Sequence, residues 1–332
     1  MAGRGVTGER PASAAQAPAA DGNGSQPAGL THAVLFYRGN DDAGELAATL
    51  RRVTRPGDPL HVAVPGKTRR LIGGSRPQPV ASRLVDMTEL GRNPARIISA
   101  GQAFAGQHAG VRVHCVWEPA WPSRSPAELR EVARHEALCN LAFAGRPMTI
   151  YCLYDTTRLS DAVIAEAELT HPVLIRAGDQ RANRSYLGPG RLPPGCDEPL
   201  PPAAGDATTV AFDGQLGQVR EFSASQGRAA GLDGARVNDL VLAVSEVAAN
   251  ALSHSGGGGV VRSWRTSEEL LCQVEDGGYI ADPLAGRCRK PADAQGGHGL
   301  WLVNRVCDLV ERRSSPAGTV TRLHMRRPAR SE

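Results

Sequence analysis

Glu246 and Asn250 are four residues apart, and their types and spacing could do chemistry. The apolar residues around them follow helical spacing, so the pair shares one helix face. An amide oxygen on that face can bind Mg²⁺, and a carboxylate can orient or deprotonate an attacking hydroxyl. A solvated helix face often carries the same pair, which therefore indicates a site only together with other residues.

Two glycine-containing segments follow this helix. Asp276 ends a strand-like run before two glycines, and its carboxylate can accept a hydrogen bond from an exocyclic amine such as that of adenine. An ordinary Asp-Gly turn has the same sequence. Gly296, Gly297 and Gly299 then precede an apolar run to Val310 that we predict as a helix. A glycine loop at a helix N-terminus presents free N–H groups to phosphate.

The elements that must position these residues form a C-terminal α+β unit. Helices are predicted over Gly214–Ala230 and Val237–His254. Neighbouring strands can pair as hairpins with the helices on one face, which predicts an α+β sandwich. The predicted strands are Thr208–Phe212, residues 260–266, Leu270–Asp276 and Thr319–Met325.

In order and spacing, these three pieces resemble the N, G1 and G2 boxes of the Bergerat-type (GHKL) histidine kinase-like ATPases, and most closely the anti-sigma factor serine/threonine kinase branch. The resemblance covers about Thr208–Met325. It implies ATP and Mg²⁺ as cofactors, with Glu246 as general base, Asn250 as Mg²⁺ ligand and Asp276 as the adenine-reading residue. The residues implied for cofactor binding are Asn250, Asp276, Gly278, Gly297, His298, Gly299, Leu300 and Thr321.

The resemblance also implies a mobile ATP lid over Tyr279–Gln295. Two positions depart from the family pattern: Ile280 replaces the second G1 glycine, and His298 stands where Arg or Lys is commoner. His254 follows the N box, where this branch often has histidine. A cap or a surface position at the helix end explains His254 equally well.

The N-terminal half alternates strands and helices, which predicts a doubly wound, mostly parallel α/β domain. Its predicted strands include His32–Tyr37, His61–Pro65 and Arg83–Met87. Gly66 and Lys67 follow the second of these and imitate a P-loop. Because the motif's first glycine is absent and the preceding residues are strand-like, we expect no nucleotide there.

This half resembles the MEDS sensory domain, named for methanogen, methylotroph and DcmR regulators. The resemblance runs from about His32 to Tyr186 and implies a small-molecule sensor without established catalysis. The residues that carry it are HAVLFYRG, WEPAWPSRSPAELREVARHEALCNLAFAG, YCLYDTTRLSD and THPVL. The polar residues near strand ends or on one helix are candidates for binding the signal, or for holding helix to sheet: His135, Glu136, Asn140, Tyr154 and Asp155.

Composition and charge limit the class of protein. The chain is 41% hydrophobic and 22% charged, typical of a globular protein, and its net charge of +4 is spread along the sequence. We therefore expect no direct nucleic-acid partner. No apolar run approaches the length of a membrane span, and the first 30 residues do not resemble a signal peptide, so a cytoplasmic protein is expected. The seven cysteines lack zinc spacing and are expected to be reduced.

These observations predict five segments. Residues 1–30 are a disordered tail, 31–186 the sensory domain, 187–207 a Pro/Gly-rich linker, 208–326 the ATPase domain and 327–332 a second tail.

Three functions are compatible with this organisation. The first is a sensor-regulated serine/threonine kinase that phosphorylates a STAS-type anti-sigma factor antagonist and controls, or itself holds, a sigma factor. The second is a histidine kinase that phosphorylates its own His135. The third is an ATP-dependent module that sequesters a partner without catalysis. Family resemblance also suggests a homodimer.

Overall fold

The computed structural model describes residues 29–53, 57–73, 82–254, 257–289 and 297–328. Of the predicted disordered tail, residues 1–28 lie outside the described ranges. The N-terminal unit contains the strands β1 Leu30–Tyr37, β2 Leu60–Val64, β3 Ser82–Asp86, β4 Val113–Trp117, β5 Met148–Asp155, β6 Val173–Arg176 and β7 Asp179–Ala182. Its helices are α1 Ala43–Val53, α2 Gly66–Gly73, α3 Met87–Leu90, α4 Ala95–Gln107, α5 Pro126–Ala142 and α6 Asp161–Thr170.

The seven strands form one sheet in the order β3-β2-β4-β5-β1-β6-β7. Every neighbouring pair is parallel except β6 and β7, which form an antiparallel edge. The prediction of a mostly parallel α/β sheet is confirmed.

Apolar side chains pack on both faces of this sheet, as a doubly wound fold requires. Successive residues of a strand point to opposite faces. In β1, Val34 and Phe36 join a core with Trp117, whereas Leu35 joins a second core with Leu46 of α1. Since β1 is covered on both sides, its sequence is a continuous apolar run.

Helix α4 is absent from our sequence prediction. Its sequence, ARIISAGQAFAGQ, contains two glycines and two β-branched residues, which lower helix propensity. Burial of residues such as Ile97, Ile98 and Phe104 stabilises the helix instead. Strand β3 ends one residue earlier than predicted, because Asp86 caps α3 by accepting a hydrogen bond from Thr88 N at 2.8 Å.

The C-terminal unit is an antiparallel sheet in the order β11-β12-β10-β9-β8. Its helices share one apolar core with the sheet, which confirms the prediction of an α+β sandwich. The elements are β8 Thr208–Phe212, α7 Leu216–Ala229, α8 Gly234–His254, β9 Gly259–Arg265, β10 Glu269–Asp276, α9 Gly299–Val306, β11 Leu309–Ser315 and β12 Gly318–Arg326.

One element of this unit differs from its prediction. The helix expected to continue to Val310 ends at Val306, and Leu309–Ser315 forms strand β11. Asp308 N donates to His324 O at 3.0 Å, so the chain joins β12 directly after the helix. Burial alternates only from Glu311 to Ser314, and the apolar residues Val306, Cys307, Leu309 and Val310 concealed the change from helix to strand.

Helices α4 and α5 of the first unit pack against α9 and β11 of the second. Asn93 Nδ2 donates to Asn304 Oδ1 at 3.1 Å. Arg96 Nη2 donates to Cys307 O at 2.8 Å, and Arg92 Nη1 lies 2.9 Å from Asp308 Oδ1. The two units therefore share a polar interface that the sequence does not reveal.

Residues 187–207 form neither helix nor strand, as expected of a Pro/Gly-rich segment. They nevertheless contact both units. Gly190 N donates to Ala137 O at 3.2 Å, and Arg313 Nε donates to Glu198 O at 3.0 Å. Among the helices in the described ranges, none combines the length and apolarity that a membrane crossing requires.

Candidate nucleotide-binding site

Helix α8 positions the first two candidate residues. Its buried side, which includes Leu240, Val244 and Ala248, packs on the sheet. Glu246 and Asn250 are consequently directed away from that core, toward the start of α9. A Cβ added at Gly299 would overlap Glu246 Oε2 and lie 3.7 Å from Asn250 Nδ2. A side chain there would displace the Glu246 carboxylate, so the glycine allows α9 to begin close to the α8 pair.

Asp276 lies at the end of β10 and organises the turn that follows. Gly278 N donates to Asp276 Oδ1 at 2.7 Å, and Gly278 O accepts from Thr319 Oγ1 at 2.7 Å. Burial raises the pKa of Asp276 above its usual range, although the Gly278 hydrogen bond opposes the shift. Because Oδ1 is engaged by the turn, Oδ2 remains available as an acceptor.

A cavity of about 650 Å³ lies between α8, β10, β12 and the segment after Asp276. Ligand pockets commonly have volumes of about 300–1,000 Å³. The predicted cofactor-binding residues that line it are Asn250, Asp276, Gly278, Gly297, Leu300 and Thr321. His254 and Ile280 also line the cavity, so His254 lies at the cavity wall as well as at the end of α8.

Two buried polar atoms at this cavity lack hydrogen bonds within the described part of the chain. They are Asn250 Nδ2 and Thr321 Oγ1. Most buried side-chain polar atoms have at least one partner. A polar ligand in the cavity would supply the partners that the protein does not.

Three of the predicted residues do not line the cavity. Glu246 and Gly299 lie together at the start of α9, as described above. His298 is the N-cap residue of α9, but its side chain makes no capping hydrogen bond. The structure thus brings six of the predicted cofactor-binding residues to the cavity wall and leaves these three at the N-terminus of α9.

The segment predicted as the ATP lid is described as far as residue 289, and residues 290–296 lie outside the described ranges. Gly286 has φ +79°, and a Cβ there would meet the Leu300 backbone at 2.9 Å. Asn304 Nδ2 of α9 donates to Gly286 O at 3.0 Å. This first part of the lid, Asp282–Cys288, is named the lid base below.

The lid base also contacts the N-terminal unit. Leu284 and Cys288 pack against its apolar core. Arg287 Nη2 donates to Glu131 Oε2 of α5 at 2.8 Å, and both side chains are buried. Glu131 Oε1 also accepts from Arg313 Nη1 at 3.0 Å. One carboxylate of α5 therefore holds two arginines of the C-terminal unit.

A larger cleft of about 1100 Å³ lies between residues 197–207 and the sheet. Asp276 and Thr319 border both spaces. The larger cleft lacks Asn250, Thr321 and the start of α9, so the predicted nucleotide-binding residues meet at the smaller cavity.

Sequence reasoning missed two hydroxyl residues that support the G1 turn. Ile280 N donates to Ser314 Oγ at 2.8 Å, and Ser314 Oγ lies 2.6 Å from Thr319 Oγ1. Thr319 and Thr321 are two residues apart on β12 and face the same side. That Thr-x-Thr spacing in a predicted strand was the available signal for Thr319.

Comparisons with known proteins find a family match for each half of the chain. Residues 31–172 match the model of the MEDS family, described as the methanogen/methylotroph, DcmR sensory domain. Residues 210–325 match the model of the histidine kinase-like ATPase domain. The chain is a MEDS domain followed by a histidine kinase-like ATPase domain. No curated protein matches it.

One solved structure with a detectable likeness contains the RsbU and RsbW domains of Rv1364c from Mycobacterium tuberculosis. It is 20% identical, with a TM-score of 0.29, and the match covers 39% of this chain and 35% of that one. The match thus spans about a third of that protein's length, and the likeness is too slight to support a functional inference.

The polar residues predicted for the signal site of the MEDS domain do not all lie together. Glu136, Asn140 and Tyr154 lie together, since Tyr154 Oη donates to Glu136 Oε1 at 3.1 Å. His135 is fully buried and contacts Cys139 instead. Asp155 accepts from Thr157 N at 3.0 Å in the turn after β5.

Lys67 lies in α2, directly after β2, so a strand does precede the segment that imitates a P-loop.

Proposed function

We propose that this chain is a sensor-regulated, ATP-dependent protein serine/threonine kinase of the anti-sigma factor type. Its substrate would be a serine or threonine of a STAS-type anti-sigma factor antagonist, and its product would change the availability of a sigma factor. The observation that carries this proposal is the cavity at which Asn250 Nδ2 and Thr321 Oγ1 are buried without partners.

The residues around the cavity fit a nucleotide with its metal. Asp276 Oδ2 and Thr321 Oγ1 offer an acceptor and a hydroxyl to the adenine edge. Asn250 would hold Mg²⁺, which supplies positive charge to the phosphates when it is bound. The glycine-bounded N-terminus of α9 presents backbone N–H groups to the phosphates. The ATPase domain by itself implies ATP binding.

Glu246 is the proposed general base. Its carboxylate lies beside Gly299, where α9 begins, and so next to the proposed phosphate position rather than the adenine position. Phosphoryl transfer needs mainly positioning and charge stabilisation from the protein, together with a group that accepts the hydroxyl proton. A carboxylate outside the adenine cavity but beside the phosphates suits that role.

The contacts of the lid base support regulation by the MEDS domain. The Glu131–Arg287 pair joins α5 to the same segment that packs on Leu300 through Gly286. A signal that shifts α5 would therefore change the position of the lid base. We propose that a small-molecule signal acts by this route. A homodimer and direct binding of a sigma factor remain part of the proposal by family resemblance.

The phosphoacceptor is proposed to lie on a partner. His135 of α5 is fully buried among residues such as Trp117 and Cys139, so its ring has no access to the γ-phosphate of a nucleotide in the ATPase domain. This burial disfavours the histidine kinase alternative.

Incubation of the full chain with γ-labelled ATP, Mg²⁺ and purified STAS-domain proteins tests the proposal. We expect acid-stable label on a STAS protein. Glu246→Gln should retain ATP binding and lower transfer by about 100-fold or more, as for loss of a general base. Glu221→Gln, an exposed glutamate of α7, is the matched control and should transfer normally.

The other outcomes separate the alternatives. Acid-labile label on the chain itself would favour a histidine kinase. ATP binding without label on either protein would favour a sequestering module. Full transfer by Glu246→Gln would contradict the assignment of the base.

A further inference from the structure

Four ligand-type side chains meet inside the MEDS domain, and none of them lines the nucleotide cavity. His32 comes from β1, Glu136 from α5, Cys152 from β5, and His171 directly follows α6. All four are fully buried, and their potential ligand atoms lie within 4.8 Å of one another. We name them the MEDS cluster.

The distances within the MEDS cluster are short. Glu136 Oε2 lies 3.2 Å from His32 Nε2, 3.4 Å from His171 Nε2 and 3.2 Å from Cys152 Sγ. His32 Nε2 lies 3.4 Å from Cys152 Sγ. Ligand bonds of 2.0–2.3 Å in a tetrahedral zinc site separate the ligand atoms by about 3.3–3.8 Å. These four separations lie at or just below the lower end of that range, and the other two are no longer than 4.8 Å.

Hydrogen bonds outside the MEDS cluster fix both imidazoles in the same tautomer. His171 Nδ1 lies 2.7 Å from Ala167 O, a carbonyl oxygen that can only accept, so Nδ1 carries the proton. Asn140 Nδ2 donates to Thr170 O at 2.8 Å, which turns Asn140 Oδ1 toward His32 Nδ1 at 3.1 Å. His32 Nδ1 therefore also donates. Metal-binding histidines are oriented in this way, with the second nitrogen donating to a carbonyl group.

As a result, both Nε2 atoms direct lone pairs into the MEDS cluster. Glu136 Oε1 accepts from Tyr154 Oη at 3.1 Å, which leaves Oε2 directed at the same point. His171 Nε2 is buried and has no hydrogen bond within the described residues. Two lone pairs, a carboxylate oxygen and a sulfur converge among four fully buried residues, and a cation bound between them would satisfy all four atoms.

We propose that His32, Glu136, Cys152 and His171 bind one divalent transition-metal cation, with Zn²⁺ the best match to the donor set. Two imidazole nitrogens, a thiolate and a carboxylate oxygen in a closed tetrahedron are typical zinc ligands. The Cys152 thiol would lose its proton to solvent when the metal–sulfur bond forms, so binding releases a proton. The alternative to a bound metal is a proton on His171 Nε2 that pairs with Glu136 Oε2.

This site goes beyond the proposed kinase function and does not depend on it. It lies on the helix that reaches the lid base, because Glu136 and Glu131 both belong to α5. A metal that holds Glu136 would restrain that helix where it packs against the sheet.

Metal analysis of the full chain after dialysis against Zn²⁺ or Co²⁺ tests this assignment. We expect one metal ion per chain, and a visible Co²⁺ spectrum with a thiolate charge-transfer band, typical of a tetrahedral site with sulfur. Cys152→Ser should remove that band and weaken binding at least 100-fold. Cys115→Ala changes a buried cysteine of the neighbouring strand β4 and should keep both the band and the stoichiometry.

A second measurement does not depend on a variant that must fold. Chelation of metal from the wild-type chain should lower the melting temperature of the MEDS domain, and added Zn²⁺ should restore it. Absence of bound metal together with a melting temperature unaffected by chelator would overturn the proposal. So would an unchanged Co²⁺ spectrum in Cys152→Ser, or loss of the band in Cys139→Ala instead, which would assign the metal to the adjacent His135–Cys139 pair.

Discussion

In the ATPase domain, polar atoms of Asn250 and Thr321 are buried at the wall of a cavity of about 650 Å³. In the MEDS domain, polar atoms of His32, Glu136 and His171 are buried in contact with one another. Both groups lack ordinary partners for some atoms. The size of the space around each group determines what kind of ligand it could bind. Unpartnered atoms around a cavity fit a large polar molecule, and those that converge on one point fit a single ion.

The two groups are joined by one helix. Helix α5 carries Glu136 at the MEDS cluster and Glu131 at the lid base of the ATPase domain. The comparison therefore also concerns communication, because a shift of α5 at one of these two glutamates would move the other.

The largest expected effect comes from breaking the contact between α5 and the lid base. Glu131→Gln would leave Arg287 and Arg313 buried without their carboxylate. Removal of one member of a buried ion pair typically costs about 3–5 kcal/mol. We expect a loss of unfolding free energy in that range, measured by urea denaturation, and a changed ATP affinity, measured by calorimetric titration.

Glu89→Gln provides the control for this variant. Glu89 pairs with Arg92 near the same interface but is 70% exposed. Exposed pairs contribute less than about 1 kcal/mol, so its stability should change little. Equal effects of the two substitutions would contradict the assigned role of Glu131.

A buried histidine of the ATPase domain sharpens the comparison through the pH dependence of its contribution to stability. His324 in β12 has a carboxylate on each side, with Nδ1 2.9 Å from Glu269 Oε2 and Nε2 3.1 Å from Glu311 Oε2. Burial lowers the pKa of His324, but the hydrogen bonds and charges of the two carboxylates outweigh it and raise the pKa to about 9. A proton thus satisfies this cluster, in contrast to the MEDS cluster, where each histidine directs one nitrogen to a neutral acceptor.

Because the pKa of His324 is raised above its unfolded value near 6.5, its stabilising contribution is complete below pH 6.5 and is lost as the pH rises through 9. The full difference would be on the order of 3 kcal/mol. Unfolding followed by tryptophan fluorescence should show a stability gap between wild type and His324→Gln at pH 6 that closes near pH 9.5. A gap independent of pH would show that His324 is neutral in the folded chain.

The residues predicted for nucleotide binding could be chosen from the sequence because they occur in three short segments, and six of them line one cavity in the structure. Asn250, Asp276 and Gly297 each follow a local pattern of helix, strand or loop. Thr319 was missed because its role depends on pairing opposite Asp276 across β10 and β12. Strand β11 was missed because its apolar start continued the pattern of α9.

The MEDS cluster could not be predicted from the sequence for a different reason. His32 and Cys152 are 120 residues apart in the sequence and meet only because β1 and β5 are parallel neighbours. Glu136 was identified as a candidate for binding the signal, but its two histidine partners were not. No local spacing connects these residues, so only the sheet order reveals the group.

Calorimetric titration of the full chain with ATP and Mg²⁺ tests the assigned nucleotide site most directly. The wild type should bind one ATP per chain, and Asp276→Asn should lose about 1.5–3 kcal/mol of binding free energy, the usual value of a hydrogen bond to a charged group. Glu275→Gln, the preceding residue, borders the larger cleft and pairs with Arg262, so its affinity should match the wild type. Unchanged binding by Asp276→Asn, or loss of binding by Glu275→Gln alone, would contradict the placement of ATP between α8, β10 and β12.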